Sequence, residues 1–515
     1  MKTGKSLILG SAAAMALAAS GAQAADLPIK AKPVEYVRVC SLYGAGFFYI
    51  PGTDTCIKLG GYLRAETAFA TNAMFQNATN GVAGANNRLS NVYTSRARTD
   101  LNIDTRTATE YGVVRTYFEG VFQWTTGTYA GAGNGSTFYN TGAANTAGLT
   151  TVNGLSNDGI AGGSLGVFYA FIQFAGFTMG KAVSQFDAPW TNYPGNNFDG
   201  LTGGGGTVTG VNQFTYTADF GQGITASVSA QDPSLYTQSN LWNTSIQTPA
   251  GVIGGAYGGN AFGGTTSPDF VGMVRVDQAW GLFQASLAAH DNHAAYFGAT
   301  EVTGHPADKW GFAGQLALSI KNIPTGPGDT INVQGVYTNG ASRYNFQSLA
   351  PINYAMYGGS NLAGAYQSLG FAGVSDAVFA NGTQQQLTTT YGARGAFTHN
   401  WDPYWNTAVY GSWSAVRYNA TAKGLICGGA GFAELGITGA NCNPDFNIST
   451  VGLITRWTPV KNLTFSADVA WTHLDQKFTG TATTPAAAAI AKPAAVYQLK
   501  DQDSVSLLMR AQRNF

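Results

Sequence analysis

The polar and apolar residues of this chain alternate with a period of two, and its charges keep to one side of that alternation. From 57 to 66 one parity reads Ile57, Leu59, Gly61, Leu63 and Ala65, and the other Lys58, Gly60, Tyr62, Arg64 and Glu66. From 96 to 106 every charge lies on a single face: Arg96, Arg98, Asp100, Asp104 and Arg106, opposite Ala97, Thr99, Leu101, Ile103 and Thr105. The next segment sets Arg115, Tyr117, Glu119 and Gln123 against Val114, Phe118, Phe122 and Trp124. Successive side chains of a strand point to opposite faces, so these are strands whose two faces meet different surroundings.

Composition decides what those surroundings are. Charged residues are 10% of the chain, where a soluble domain carries about a quarter. The 27 basic and 27 acidic residues cancel, so no overall field recruits nucleic acid, and 44% apolar residues exclude wholesale disorder. Lys2 and Lys5 precede an apolar run over 7–19, and Ala22-Gln23-Ala24 is an A-x-A site. This predicts a secretory signal over 1–24, cleaved after Ala24. No later run is long and apolar enough for a spanning helix. A secreted β-protein and an outer-membrane barrel remain, and ten-residue dyad patterning favours the barrel.

The same pattern predicts strands at about 57–70, 91–105, 110–124, 163–175, 177–184, 211–220, 223–231, 269–280, 282–291, 308–321, 329–339, 386–399, 405–418, 446–458, 462–475 and 499–515. The expected fold class is an all-β transmembrane antiparallel barrel of about sixteen strands. Its connections alternate between tight ones, such as Gly221-Gln222 and Trp401-Asp402-Pro403-Tyr404, and long ones rich in Gly, Asn, Thr and Ala. Short periplasmic turns and long external loops account for that asymmetry, which a sandwich does not. Closure also pairs every backbone group. The organisation expected is a signal at 1–24, an N-terminal periplasmic segment at 25–56 and a barrel at 57–515. The last strand puts Val505, Leu507, Met509 and Phe515 on one parity and Ser504, Ser506, Arg510, Gln512 and Asn514 on the other.

Two features carry a resemblance to a known family. One is Phe515, a terminal aromatic closing an amphipathic strand. The other is the stretch Val34-Glu35-Tyr36-Val37-Arg38-Val39-Cys40, then Tyr43-Gly44-Ala45-Gly46-Phe47-Phe48-Tyr49-Ile50-Pro51-Gly52-Thr53-Asp54-Thr55-Cys56 and Ile57-Lys58-Leu59-Gly60-Gly61-Tyr62-Leu63-Arg64. The chain resembles the general porins of alphaproteobacteria, the group that includes the rhizobial and brucella-type porins. The resemblance implies a trimeric, water-filled diffusion channel for ions and small hydrophilic solutes, with the third external loop folded into the lumen. It implies outer-membrane lipid, lipopolysaccharide and the barrel assembly machinery as partners, with Phe515 read as the assembly signal, and it calls for no cofactor and no catalytic residue.

In such a channel the polar parity is the lumen. Arg64, Arg96, Arg98 and Arg115 fall on it in the first three strands, and Arg510 joins them because the last strand closes against the first. A basic wall is thus predicted from parity. Similar porins oppose such a wall with acids on the inward loop, here about 185–210, which nominates Asp187 and Asp199; Asp100 and Glu119 lie nearer the basic wall. Opposed charges across a narrow passage create a transverse field that orients dipolar solutes and tunes ion selectivity. A substrate-selective channel, a plugged adhesin or structural barrel, and a barrel hydrolase are the competing readings.

The four cysteines allow three connectivities, and the exported context with short intervening loops favours Cys40 with Cys56 and Cys427 with Cys442. No C-x-x-C spacing supports a metal. Gly162-Gly163-Ser164-Leu165-Gly166 matches G-x-S-x-G but lacks a strand before it and a helix after it. His290, His293 and His305 read as exposed loop residues, and 254–264 as a low-complexity loop. Trp124, Trp280, Trp310, Trp401, Trp405 and Trp457 near strand ends suit interfacial girdles.

Overall fold

A strand in lipid must find a partner for every backbone amide, and a sheet closed on itself supplies them all. The computed structural model describes residues 38–70, 75, 83–88, 90, 92–125, 164–234, 236–487 and 490–515. Sixteen long strands form its wall: β1 Cys56–Ala70, β2 Tyr93–Thr109, β3 Gly112–Thr125, β4 Ser164–Phe174, β5 Phe177–Ala182, β6 Val211–Asp219, β7 Ile224–Gln231 and β8 Asp269–Gln278 in the first half. The second half is β9 Gly281–Asn292, β10 Lys309–Lys321, β11 Thr330–Asn339, β12 Thr389–Asn400, β13 Trp405–Arg417, β14 Phe446–Val460, β15 Leu463–Gln476 and β16 Gln502–Asn514. Each pairs antiparallel with its chain neighbours. The ring closes where β16 pairs with β1, Tyr62 opposite Asn514 and Phe69 opposite Leu507. All sixteen expected strands are present, with ends displaced by a few residues.

Seven short turns join alternate strands, and Ala175 and Gly176, both at positive φ (49° and 85°), make the two-residue turn between β4 and β5. Such a turn matches the right-handed twist of the strands it links. Among the described residues, the connections 232–268, 340–388, 418–445 and 477–501 gather at the other end. Outward residues of the expected parity are exposed, among them Leu59, Leu63, Phe118, Phe122, Val505 and Met509. The six tryptophans expected at the interfaces are exposed as well, and the rings of Trp405 and Trp457 stack at 5.7 Å. The signal segment and its cleavage site lie outside the described residues.

The largest apolar cluster lies mainly in the long connections, while smaller ones pack the inward loop against the wall, as Phe198 and Leu201 do with Ala396, Tyr410 and Ile454. Trp242, Val252 and Tyr257 from 232–268, Phe346, Tyr354, Phe371 and Val378 from 340–388, Tyr418, Ile426 and Phe432 from 418–445, and Phe478 and Tyr497 from 477–501 form one buried cluster. Short strands brace it: Asn353–Gly358 pairs with Gln367–Gly373, which runs parallel to Ala495–Leu499. Two expectations are corrected by this arrangement. The stretch 254–264 is not featureless: it leads from the helix Pro249–Ile253 through buried Tyr257 into the strand Gly259–Asn260. His290 is not exposed but fully buried, its Nδ1 2.7 Å from Asp269 Oδ1 and its Nε2 3.7 Å from Asp376. Folded loops cover the rim where a bare loop would leave it wet. Both expected disulfides, Cys40–Cys56 and Cys427–Cys442, are formed. Ser164 opens β4, and a strand, not a helix, follows it.

Candidate functional site

Strand register assembles the polar face row by row. In one row Gln512 of β16, Arg64 of β1, Arg98 of β2 and Gln123 of β3 stand side by side. Arg64 Nε donates to Gln512 Oε1 at 2.8 Å, and Arg98 donates to Gln123 Oε1 from Nε at 2.9 Å and from Nη2 at 2.6 Å. In the neighbouring row Glu66 has Arg510 on one side and Arg96 on the other. Both guanidiniums bond its buried carboxylate, Arg510 Nε at 2.6 Å. Glu66 is a buried member of this face that sequence reasoning did not single out. Its parity was visible, but its two partners come from strands 30 and 444 residues away.

The third long connection, 183–210, lies inside the barrel against this face and the wall beyond it. Arginines hold it by its carbonyls: Arg394 Nη1 donates to Leu201 O at 2.8 Å and Arg456 Nη2 to Gly195 O at 2.6 Å. Arg510 adds Nη2 to Asn197 O at 3.1 Å. Amides of the wall complete the seat, with Gln284 reaching Asp187 O, Gln315 reaching Phe186 O and Asn332 reaching Pro194 O, at 2.8 to 2.9 Å. At Gly203 and Gly204 the loop lies against the wall too closely for side chains, and Gly205 and Gly206 are crowded by Phe186, Asn192 and Gln347 of the connections themselves. A Cβ on Gly203, whose φ is +96°, would stand 2.4 Å from Ala393 O. Neither Arg394 nor Arg456 was anticipated as an anchor, because nothing in a strand pattern says which lumen arginine meets a loop.

A cavity of about 370 Å³ remains between loop and wall. Tyr62, Arg64, Arg96, Arg98, Glu119, Phe168, Tyr169, Tyr193, Asp199 and Arg510 line it. Asp199 meets the basic wall directly, its Oδ2 3.3 Å from Arg96 Nη1, while Tyr193 donates its hydroxyl to Oδ1. Burial and the neighbouring Asp199 push the Tyr193 phenol well up, so it stays a donor. Asp100 shares the lumen face, with Asn102 Nδ2 donating to it at 3.3 Å, and Glu119 accepts from Tyr117 at 2.8 Å.

Two nominated residues stand elsewhere. Arg115 is nearer the turn end of its strand, where it and Arg106 share Asp104 at 3.0 Å each. Asp187 is buried inside the loop, accepting the hydroxyl of Thr207 at 2.6 Å and its amide as well. Burial pushes its carboxyl up to about 6, against the pull of those two hydrogen bonds and of Arg394. Parity locates strand side chains and has no purchase on a loop. Phe515 is exposed at the closing seam, its amide bonded to Gly61 O at 3.0 Å.

Comparison with known proteins agrees with this geometry. The chain is similar to porin Omp2b of Brucella suis biovar 1 and of Brucella melitensis biotype 1, each 32% identical over 298 residues, 56% of this chain and 66% of the relative. It therefore spans just under two thirds of the length of those relatives. Its fold is similar to that of the outer membrane channel DcaP of Acinetobacter baumannii, with a TM-score of 0.55 at 13% identity, covering 91% of this chain and 99% of the other. A sequence profile of the Porin subfamily matches residues 26–508. Closed sixteen-stranded wall, inward loop and profile agree, and the chain belongs to the Porin subfamily, a family of bacterial outer-membrane β-barrels.

Proposed function

We propose that the chain is a passive outer-membrane channel through which water, ions and small hydrophilic solutes diffuse, with no covalent step. The observation that carries the reading is the charged cavity between the arginine rows and the inward loop. Arg64, Arg96, Arg98 and Arg510, with Asp199 opposite and Glu119 and Asp100 beside them, act as its constriction, and Arg115 extends the basic wall toward the periplasm. Asp187 serves by holding the loop. Charges that face one another across a narrow wet gap tune selectivity, while the loop sets the size limit. The mature protein begins at Ala25 and works as a homotrimer in lipopolysaccharide-bearing membrane, delivered by the assembly machinery that reads Phe515.

The aromatic lining of Tyr62, Phe168, Tyr169 and Tyr193 favours a second reading, a channel selective for one solute class. Swelling of liposomes containing the purified protein, in solutes of graded size and chemistry, separates the two. A smooth decline with size supports the general channel, and a preferred solute off that curve supports the selective one. In planar bilayers the double substitution Arg64→Ala/Arg98→Ala should move ion selectivity toward cations; an unchanged reversal potential counts against the constriction.

A further inference from the structure

The charges of the upper passage balance. Arg64, Arg96, Arg98 and Arg510 stand among an equal number of acids, Glu66, Asp100, Glu119 and Asp199. Four residues beyond Asp100 along β2, about 13 Å toward the turn end at the usual strand rise, the charges do not balance. There Lys58 stands opposite Asp104, and Arg106 opposite Arg115. All four share the face of Arg64 and Arg98, since strand parity is unbroken between them. Three cations thus surround one carboxylate. Both guanidiniums lean on Asp104 at 3.0 Å and remain a little over a quarter exposed. Lys58 has no carboxylate within ion-pairing distance among the described residues. The far wall adds to the excess: Arg275 of β8 is held by the amide oxygen of Gln284 at 2.8 and 2.9 Å. Lys321 with Asp277 is a self-contained pair that leaves the sum unchanged, and Asp329, held by the Thr325 hydroxyl and the Asn400 amide beside His399, sets one carboxylate against that excess.

Like charges set directly opposite on a sheet are unfavourable, and here the fold steadies them without neutralising them. Residues 38–55 fold back against the foot of β1, with Phe48 pairing to Ile57 and Tyr49 to Cys56. The Cys40–Cys56 disulfide ties this finger down. Its Phe47 is buried beneath the cations, with Arg106 4.9 Å and Lys58 5.9 Å from the ring centroid, and Tyr43 lies 5.8 Å from Arg106. An aromatic face attracts a cation while leaving its charge intact.

We propose that Lys58, Arg106 and Arg115 around Asp104 form a second filter at the periplasmic mouth, and that this ring gives the channel its preference for small anions such as carboxylates and phosphates. The inference rests on the channel reading and assigns selectivity to a level below the constriction. Reversal potentials of the purified full-length protein under a potassium chloride gradient test it. Lys58→Gln/Arg106→Gln should lower the anion-to-cation permeability ratio roughly threefold or more, and Asp104→Asn should raise it. The second variant keeps the test decisive if the first fails to assemble. A parental ratio in the double variant, or a fall with Asp104→Asn, overturns the ring. A parent protein that inserts yet passes no current overturns the channel reading itself.

Discussion

Asp187 shows how far a residue's task depends on what encloses it. Its carboxyl is raised from 3.8 to about 6 by burial, so the folded loop binds its proton more tightly than an unfolded one. A raised pKa contributes stability in full below the unfolded value and loses it as pH rises through the folded one. The loop is therefore best held below about pH 4 and progressively less so up to about pH 6 and beyond. Asp187→Asn, which keeps an acceptor for Thr207, should strengthen protection of the loop amides at pH 7.5 by on the order of 1 to 3 kcal/mol. At pH 4 it should change nothing, and hydrogen exchange corrected for intrinsic rates reads both values. Weaker protection at pH 7.5 would show that the ionised form holds the loop. The arginines of β1, β2 and β16 were legible because a period of two gives each a face. Asp187 was legible only as an acid in the right segment, since a loop offers no period from which to read direction.

At the scale of elements, the strands were the most readable part of the chain and the inward loop the least. Each strand carries its own signal, and even the short β5, Phe177–Ala182, is bounded by a tight turn and a change in composition. The loop takes its path from groups on six or more strands. Arg394 is the most buried of its arginine anchors, donating to carbonyls of Thr191, Leu201 and Gly205. Removing it leaves those buried acceptors unpaired, at a cost of about 1–3 kcal/mol for each such group. Arg394→Ala should therefore loosen the loop without unfolding the wall. The expected outcome is a larger solute cutoff in liposome swelling, with unchanged strand content by circular dichroism. An unchanged cutoff would mean that the amides of Gln284, Gln315 and Asn332 suffice to hold it.

For the whole molecule, the dry core outside the barrel is the main departure from the sequence reading. Four long connections bury their aromatics together, so the external mouth is framed by packed structure. Cys427–Cys442 closes a short segment of that cap and, on the chain-entropy account, contributes about 3 kcal/mol. Cys427→Ser/Cys442→Ser should make 418–445 sensitive to added protease while the strands stay protected, which mass mapping of the fragments would show. Cleavage within the strands would mean that cap and wall stand or fall together. Sequence alone determined the closed sheet, its strand number and which strand residues face water, and it favoured the two disulfides, because pleat periodicity, turn chemistry and cysteine spacing are local properties of a chain. Tertiary structure decided which charges meet across strands hundreds of residues apart, where the inward loop rests, that His290 is buried between two aspartates, and that glycine-rich loops share a core. Those outcomes depend on which surfaces come together once the ring closes, and a linear pattern does not record them.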